Sequence, residues 1–206
     1  MSFTVVGWDV GGAHLKAALV VDGVVKQVEQ TVCPLWKGVE QLELAIKRIL
    51  ENIGPPPSLH AVTMTGELVD CFKTRQEGVD AIIRTLQHGL PNPELMIYAG
   101  NRGFMSPADL VADDYSRIAS ANWLASASVA AQYYQEALFI DIGSTTTDIL
   151  VIHEHQVDAL GYTDYQRLVS GELLYTGAVR TPVMAICQQA DFNGQTMGIM
   201  AEYFAT

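Results

Sequence analysis

The stretch FIDIGSTTTDILVI, Phe139 to Ile152, places an aspartate, a glycine and four hydroxyl side chains between two apolar runs of strand length. VVGWDVGGAHLKAALVV, Val5 to Val21, has a similar layout near the N-terminus. In each, a strand delivers an aspartate to its end, where Asp9 or Asp141 can orient a divalent cation or its water shell. The glycines that follow, Gly11 and Gly12 in one loop and Gly143 in the other, permit φ angles and close approaches that other residues forbid. Turn N–H groups form a concavity for an anion, and the hydroxyls of Ser144, Thr145, Thr146 and Thr147 add donors without adding charge. Lys16 adds a positive charge if its strand turns it towards the loop. A single Asp-Gly loop closes many ordinary hairpins. Two of them, each opening a similar unit, are expected to grip the two ends of a di- or triphosphate.

Outward from these loops, Thr4–Asp9, Leu15–Val21 and Val24–Val28 predict three strands in an antiparallel meander, with Asp22-Gly23 as a hairpin turn. Val39–Asn52 has helical spacing and stops at Gly54 before Pro55-Pro56-Pro57. His60–Met64 and Leu95–Tyr98 predict short strands, and Gln76–His88 a helix. Tyr115 to Tyr134, rich in Ala and Ser, predicts one long, closely packed helix. Ala137–Asp141, Asp148–His153 and Val157–Leu160, with a turn at His155-Gln156, then repeat the opening layout. The chain is therefore expected to divide into a first lobe, residues 1–115, and a second, residues 116–206, that begins with the long helix.

With 206 residues, 49% of them hydrophobic and 17% charged, the chain can bury a core that needs no staples. A net charge of -11 argues against nucleic acid as partner, since a phosphate backbone wants a basic face. An anionic ligand would then need backbone N–H groups, one or two cationic side chains and a bound cation. No apolar run approaches the roughly 18 residues of a membrane span, and no export leader opens the sequence, so a cytoplasmic protein is expected. Cys33, Cys71 and Cys187 form no CxxC and read as reduced thiols.

Glu67, in Thr65-Gly66-Glu67, follows the strand at 60–64 and reads as an acid/base or metal-orienting group, or as a carboxylate favoured by a helix N-terminus. Arg180, in a loop stiffened by Pro182, reads as a guanidinium offered to a phosphate or as a structural salt bridge. Asn101-Arg102-Gly103 and Asn122 are further positions that could line a cleft. The five histidines show no metal-ligand spacing and read as surface residues, and Cys71 lacks a base to activate it.

The paired DVGGAHLKA and DIGSTTTDI resemble the two phosphate motifs of the actin, sugar kinase and Hsp70 superfamily, including its hydantoinase A and oxoprolinase branch. VTMTGELVDCF at 62–72, EGV at 77–79, SANWLASA at 120–127 and YTGAVRTPV at 175–183 sharpen this. Together they resemble the tetrahydromethanopterin-linked C1 transfer pathway proteins of methylotrophic bacteria, which are related to the archaeal furanylmethanamine synthase of methanofuran biosynthesis. The resemblance implies an α/β, actin-like ATPase fold of two ribonuclease H-like lobes with mixed sheets. It implies a transferase that binds an organic diphosphate with Mg²⁺ and displaces pyrophosphate from a furanylmethyl diphosphate with the phenol of a tyramine derivative. The product would be a methanofuran-like cofactor of formaldehyde oxidation, and Glu67 and Asp148 are the candidates for the base. Members of the family are longer, and the superfamily's later glycine-rich adenosine loop has no counterpart here. The second lobe is therefore expected to be incomplete, in a truncated form or a short variant, and ATP binding stays open. Two other readings stand beside this one: an ATP-dependent kinase or hydantoinase-like enzyme, and a non-catalytic phosphate-binding or assembly subunit. A homodimer also stays open.

Overall fold

Alternation along the first strand decides which side of the sheet is core. In β1 (Thr4–Val10), Val6, Trp8 and Val10 are buried, and Val5, Gly7 and Asp9 face the other way. The protein is described by a computed structural model over residues 2–54, 57–91 and 94–200, and it separates into two compact units, Met1–Ala125 and Ser126–Thr206.

In the first unit β2 (His14–Val21) and β3 (Val24–Val32) continue the meander from β1. Asp22 and Gly23 turn the chain with φ of 48° and 79°, and the Asp22 carboxylate accepts from the Phe3 amide at 2.8 Å. β4 (Leu59–Met64) and β5 (Leu95–Tyr98) add in parallel, and β6 (Phe104–Met105) closes the edge antiparallel. The order β3-β2-β1-β4-β5-β6 is the ribonuclease H-like arrangement of a meander followed by parallel strands. Two helices supply the cover: Leu42, Ile46 and Ile49 of α1 (Glu40–Asn52), and Val79, Ile82 and Leu86 of α2 (Arg75–Gly89), recur at three- and four-residue spacing. They pack into one cluster with Trp8, Leu15, Val62, Met64 and Ile97, and each such burial contributes about 1.5–3 kcal/mol. Thr74 caps α2 by accepting from the Glu77 amide at 3.1 Å, and the Glu77 carboxylate returns to the Lys73 amide at 3.0 Å. Of the proline stop expected after α1, Pro55 and Pro56 lie outside the described residues.

The long helix expected over 115–134 is two helices, α3 (Tyr115–Ile118) and α4 (Asn122–Tyr133). The break falls at Ser120, whose φ of 54° is left-handed and incompatible with a right-handed helix. Local propensity favours helix there, and a tertiary contact of Ser120 described below overrides it. β3 also runs four residues beyond its expected end, because it stays paired with β2 to His14.

In the second unit β7 (Glu136–Ile142) and β8 (Thr147–His153) pair antiparallel, with Asp141 directly opposite Asp148. The following turn sits at Glu154-His155, with φ of 50° and 62°, one residue before the expected His155-Gln156. β9 is accordingly Gln156–Asp158 rather than 157–160. α5 (Asp164–Ser170) leads to β10 (Leu173–Leu174), which pairs with the other end of β8. A short α6 (Val183–Ile186) and a hairpin of β11 (Gln189–Phe192) and β12 (Gln195–Gly198) follow. Among the described residues no helix is long and apolar enough to cross a membrane.

His60, expected at the surface, is fully buried. Its Nδ1 accepts from the Trp8 indole at 3.0 Å, which leaves Nε2–H to donate to the Pro91 carbonyl at 3.1 Å. Burial lowers its pKa, against the opposing effect of the Pro91 bond. Below the unfolded value near 6.5, the unfolded chain therefore binds a proton that the native chain resists, so stability falls as pH drops through that region. Urea midpoints compared at about pH 7.5 and pH 5.5 should fall for the wild type and fall less for His60→Gln, which keeps an acceptor for Trp8 without a titrating ring. An equal fall in both would contradict this.

Candidate phosphate-binding loops and a buried carboxylate

Asp9 lies on the sheet face opposite the helices, with Lys16 of β2 and Thr63 of β4 as its register partners. Lys16 is aimed at the loop: its Nζ donates to Asp9 Oδ2 at 3.0 Å. Asp9 Oδ1 and Thr63 Oγ1 are buried and have no hydrogen-bond partner among the described residues. An unsatisfied buried acceptor costs about 1–3 kcal/mol, which a bound cation or donor would remove. The Thr65 amide donates to the Val10 carbonyl at 2.9 Å and ties the end of β4 to this loop. Gly11, Gly12 and Gly143 do not adopt left-handed φ, so here close approach is the reason for glycine. A Cβ on Gly12 would stand 2.8 Å from Val69 Cγ1.

Beyond Thr65 the chain makes one 3-10 turn, Gly66–Leu68, rather than the start of an α-helix. Glu67 on that turn is 1% exposed. Its Oε1 accepts from the Ser120 hydroxyl at 3.0 Å, and its Oε2 has no partner among the described residues. Burial raises its pKa; its own amide, the Ser120 hydroxyl and amide, and the charge of Arg75 pull the other way. The Asn101 and Arg102 side chains serve the structure: Arg102 Nη1 reaches both oxygens of Asp114 at 2.6 Å, and Asn101 Oδ1 accepts from Arg117 at 2.7 Å. Asn122 opens α4 and accepts from the Trp123 amide at 2.9 Å.

In the second unit the hydroxyl loop is clasped by the segment carrying Arg180. Gly143 N donates to Thr146 O at 2.8 Å, and the amides of Ala178, Val179 and Arg180 donate to the carbonyls of Gly143, Ser144 and Ser144 at 2.9, 3.1 and 2.8 Å. Gly177 allows this, since a Cβ there would fall 2.5 Å from the Thr145 backbone. The Thr147 hydroxyl is spent on the Thr176 carbonyl at 2.6 Å, so of the four hydroxyls expected to donate, this one is committed. Those of Ser144, Thr145 and Thr146 make no hydrogen bond among the described residues. Arg180 is exposed beside the loop, and Asp141 is exposed at its start. Asp148 instead points to Arg167, which is 1% exposed and whose Nη2 donates to Oδ1 at 2.6 Å. Burial raises the Asp148 pKa, the Arg167 bond lowers it, and Asp141 raises it. Thr63, Ser120, Arg167 and the Thr176–Ala178 clasp are the residues that sequence reasoning missed as parts of these sites. All of these except Arg167 fell inside quoted motifs.

Among the described residues no group of three or more His, Cys, Asp or Glu converges on a metal position. The orphaned Asp9 Oδ1 and the exposed Asp141 are hard oxygen donors, the kind Mg²⁺ takes when ligand phosphates complete its shell.

The model of the hydantoinase/oxoprolinase family matches residues 58–206. The chain belongs to that family. The chain is 32% identical, over all 206 residues, to the (4-{4-[2-(gamma-L-glutamylamino)ethyl]phenoxymethyl}furan-2-yl)methanamine synthase of Methanocaldococcus jannaschii. It spans 60% of that relative's length. The protein of the same name from Methanococcus vannielii is 38% identical over 71 residues, 34% of this chain and 32% of that one. Among solved structures, an Aquifex aeolicus member of the Ppx/GppA family is 12% identical with a TM-score of 0.46, covering 77% of this chain and 50% of that one.

Proposed function

We propose that this member of the hydantoinase/oxoprolinase family is part of a transferase of one-carbon cofactor biosynthesis. The transferase displaces pyrophosphate from a furanylmethyl diphosphate with the phenol of a tyramine derivative. The observation that carries the reading is the identity along the entire chain with a relative whose name describes a phenoxymethyl-furan product.

The residues suit that chemistry. Asp9 in the first unit and Asp141 in the second are each a carboxylate suited to Mg²⁺, which would supply positive charge to a departing pyrophosphate. Each unit by itself carries one candidate phosphate loop, Gly11, Gly12 and Lys16 in the first and Gly143 to Thr146 with Arg180 in the second. Donors fixed by the folded backbone stabilise charge where it develops on the leaving group. The furanylmethyl C–O bond breaks, the phenol oxygen forms the new C–O bond, and the phenol proton passes to a base of the chain. Burial raises the pKa of both candidates, but Asp148 is held by Arg167, whereas Glu67 keeps an oxygen with no partner among the described residues. A carboxylate that can take a proton without first giving up an ion pair is the better-placed base, which favours Glu67.

Calorimetric titration with pyrophosphate and with ATP, each with and without Mg²⁺, tests the reading. Pyrophosphate binding that requires Mg²⁺, with ATP no tighter, is the expected result. Clearly tighter ATP binding would replace it with the kinase-like alternative.

A further inference from the structure

Glu67 lies too deep to meet a phenol itself. It is 1% exposed, and α2 presses on its backbone: a Cβ on Gly78 would stand 2.7 Å from the Glu67 carbonyl oxygen. Ser120, its partner 53 positions away, keeps part of its surface exposed. Ser120 also holds a φ of 54°, a conformation that glycine adopts freely and serine does not. The chain thus keeps a hydroxyl where glycine would relieve the backbone, and breaks an Ala-rich helix to place it. Outliers of this kind collect at functional sites.

We propose that Ser120 is the group through which Glu67 exchanges its proton, its hydroxyl standing between the buried carboxylate and the phenol. The proposal rests on the reading of Glu67 as the base. The phenol proton passes to Ser120 Oγ as the Ser120 hydroxyl proton passes to Glu67 Oε1. One O–H bond breaks and one forms at each transfer, serine ends as it began, and the electron pair left on the phenol oxygen attacks carbon. Arg75 on α2 is the charged side chain whose field reaches the carboxylate, and the Ser120 segment contributes an amide besides the hydroxyl.

The experiment compares Ser120→Gly, Glu67→Gln and the double variant. One arm is turnover of an aminomethylfuran-methyl diphosphate with glutamyl-tyramine; the other is ¹³C titration of the Glu67 carboxyl, which decides independently of turnover. Ser120→Gly should fold with about wild-type stability, because relief of the left-handed φ offsets the lost bond to Glu67. It should titrate at higher pH, because the hydroxyl that stabilised the anion is gone. Turnover should fall at least about tenfold, and Glu67→Gln should add no further loss on that background. An unmoved Glu67 titration, or wild-type turnover in Ser120→Gly alongside an impaired Glu67→Gln, would overturn the relay while leaving Glu67 as base. Wild-type turnover in Glu67→Gln would instead remove Glu67 as the base, and the relay with it.

Discussion

Asp141→Asn should weaken Mg²⁺-dependent pyrophosphate binding by about 10–100-fold, or about 1.4–2.8 kcal/mol. Asp141 sits exposed at the entrance to the hydroxyl loop, and its carboxylate makes no hydrogen bond or ion pair among the described residues. Its loss should relax the fold slightly, because it faces Asp148 across the β7–β8 ladder and raises that group's pKa. Weaker binding in a chain of unchanged or higher stability is therefore a site effect. Asp9→Asn should differ in one respect. It frees Lys16, now held at 3.0 Å by Asp9 Oδ2, so binding without Mg²⁺ should strengthen while the gain from Mg²⁺ disappears. Calorimetry on both variants, with and without Mg²⁺, checks this. Retention of the full Mg²⁺ effect in either variant would sink the role given to that aspartate.

Arg167→Met should destabilise the chain by about 3–5 kcal/mol, the range for removing one partner of a buried ion pair. The guanidinium bonds Asp148 Oδ1 at 2.6 Å and the Glu172 carbonyl at 3.3 Å. Glu172 in turn gathers the amides of Leu160 and Gly161 at 2.7 and 2.8 Å and the Ser170 hydroxyl at 2.6 Å. Without Arg167, Asp148 would lose its paired cation while still facing Asp141 across the ladder. Burial already holds its pKa up, and losing the arginine raises it further, so the variant should regain stability as pH falls and Asp148 takes up a proton. Asp148→Asn on that background should recover part of the loss at neutral pH. Denaturant midpoints across pH decide it: a loss below about 1 kcal/mol, or one that grows on acidification, would show that the pair does not hold β8 to α5.

Much of the fold was legible in the sequence because its signals are local. Strand alternation in Thr4–Val10, the Asp22-Gly23 turn and the helical spacing of α1 and α2 all work within a few residues, and each appears where expected. The two loops could be found for the same reason: an aspartate at a strand end and glycines beside it are contiguous. Their neighbours could not be. Ser120 meets Glu67 across 53 positions, and Gly177 meets Thr145 across 32 (177 − 145). Nothing in the spacing of either pair announces the contact.

The sequence by itself determined the meander, the helices that cover it and the positions of both Asp-Gly loops, since backbone sterics and hydrophobic periodicity act between near neighbours. Tertiary structure alone decided which polar groups stay available: Thr147 and Asp148 are spent on Thr176 and Arg167, while the hydroxyls of Ser144 to Thr146 and one oxygen each of Asp9 and Glu67 have no partner among the described residues. It also decided that an Ala-rich segment breaks at Ser120 and that His60 lies in the core. Burial and hydrogen-bond partnership belong to groups brought together from distant parts of the chain, and they exist only once the sheet and its helices have closed.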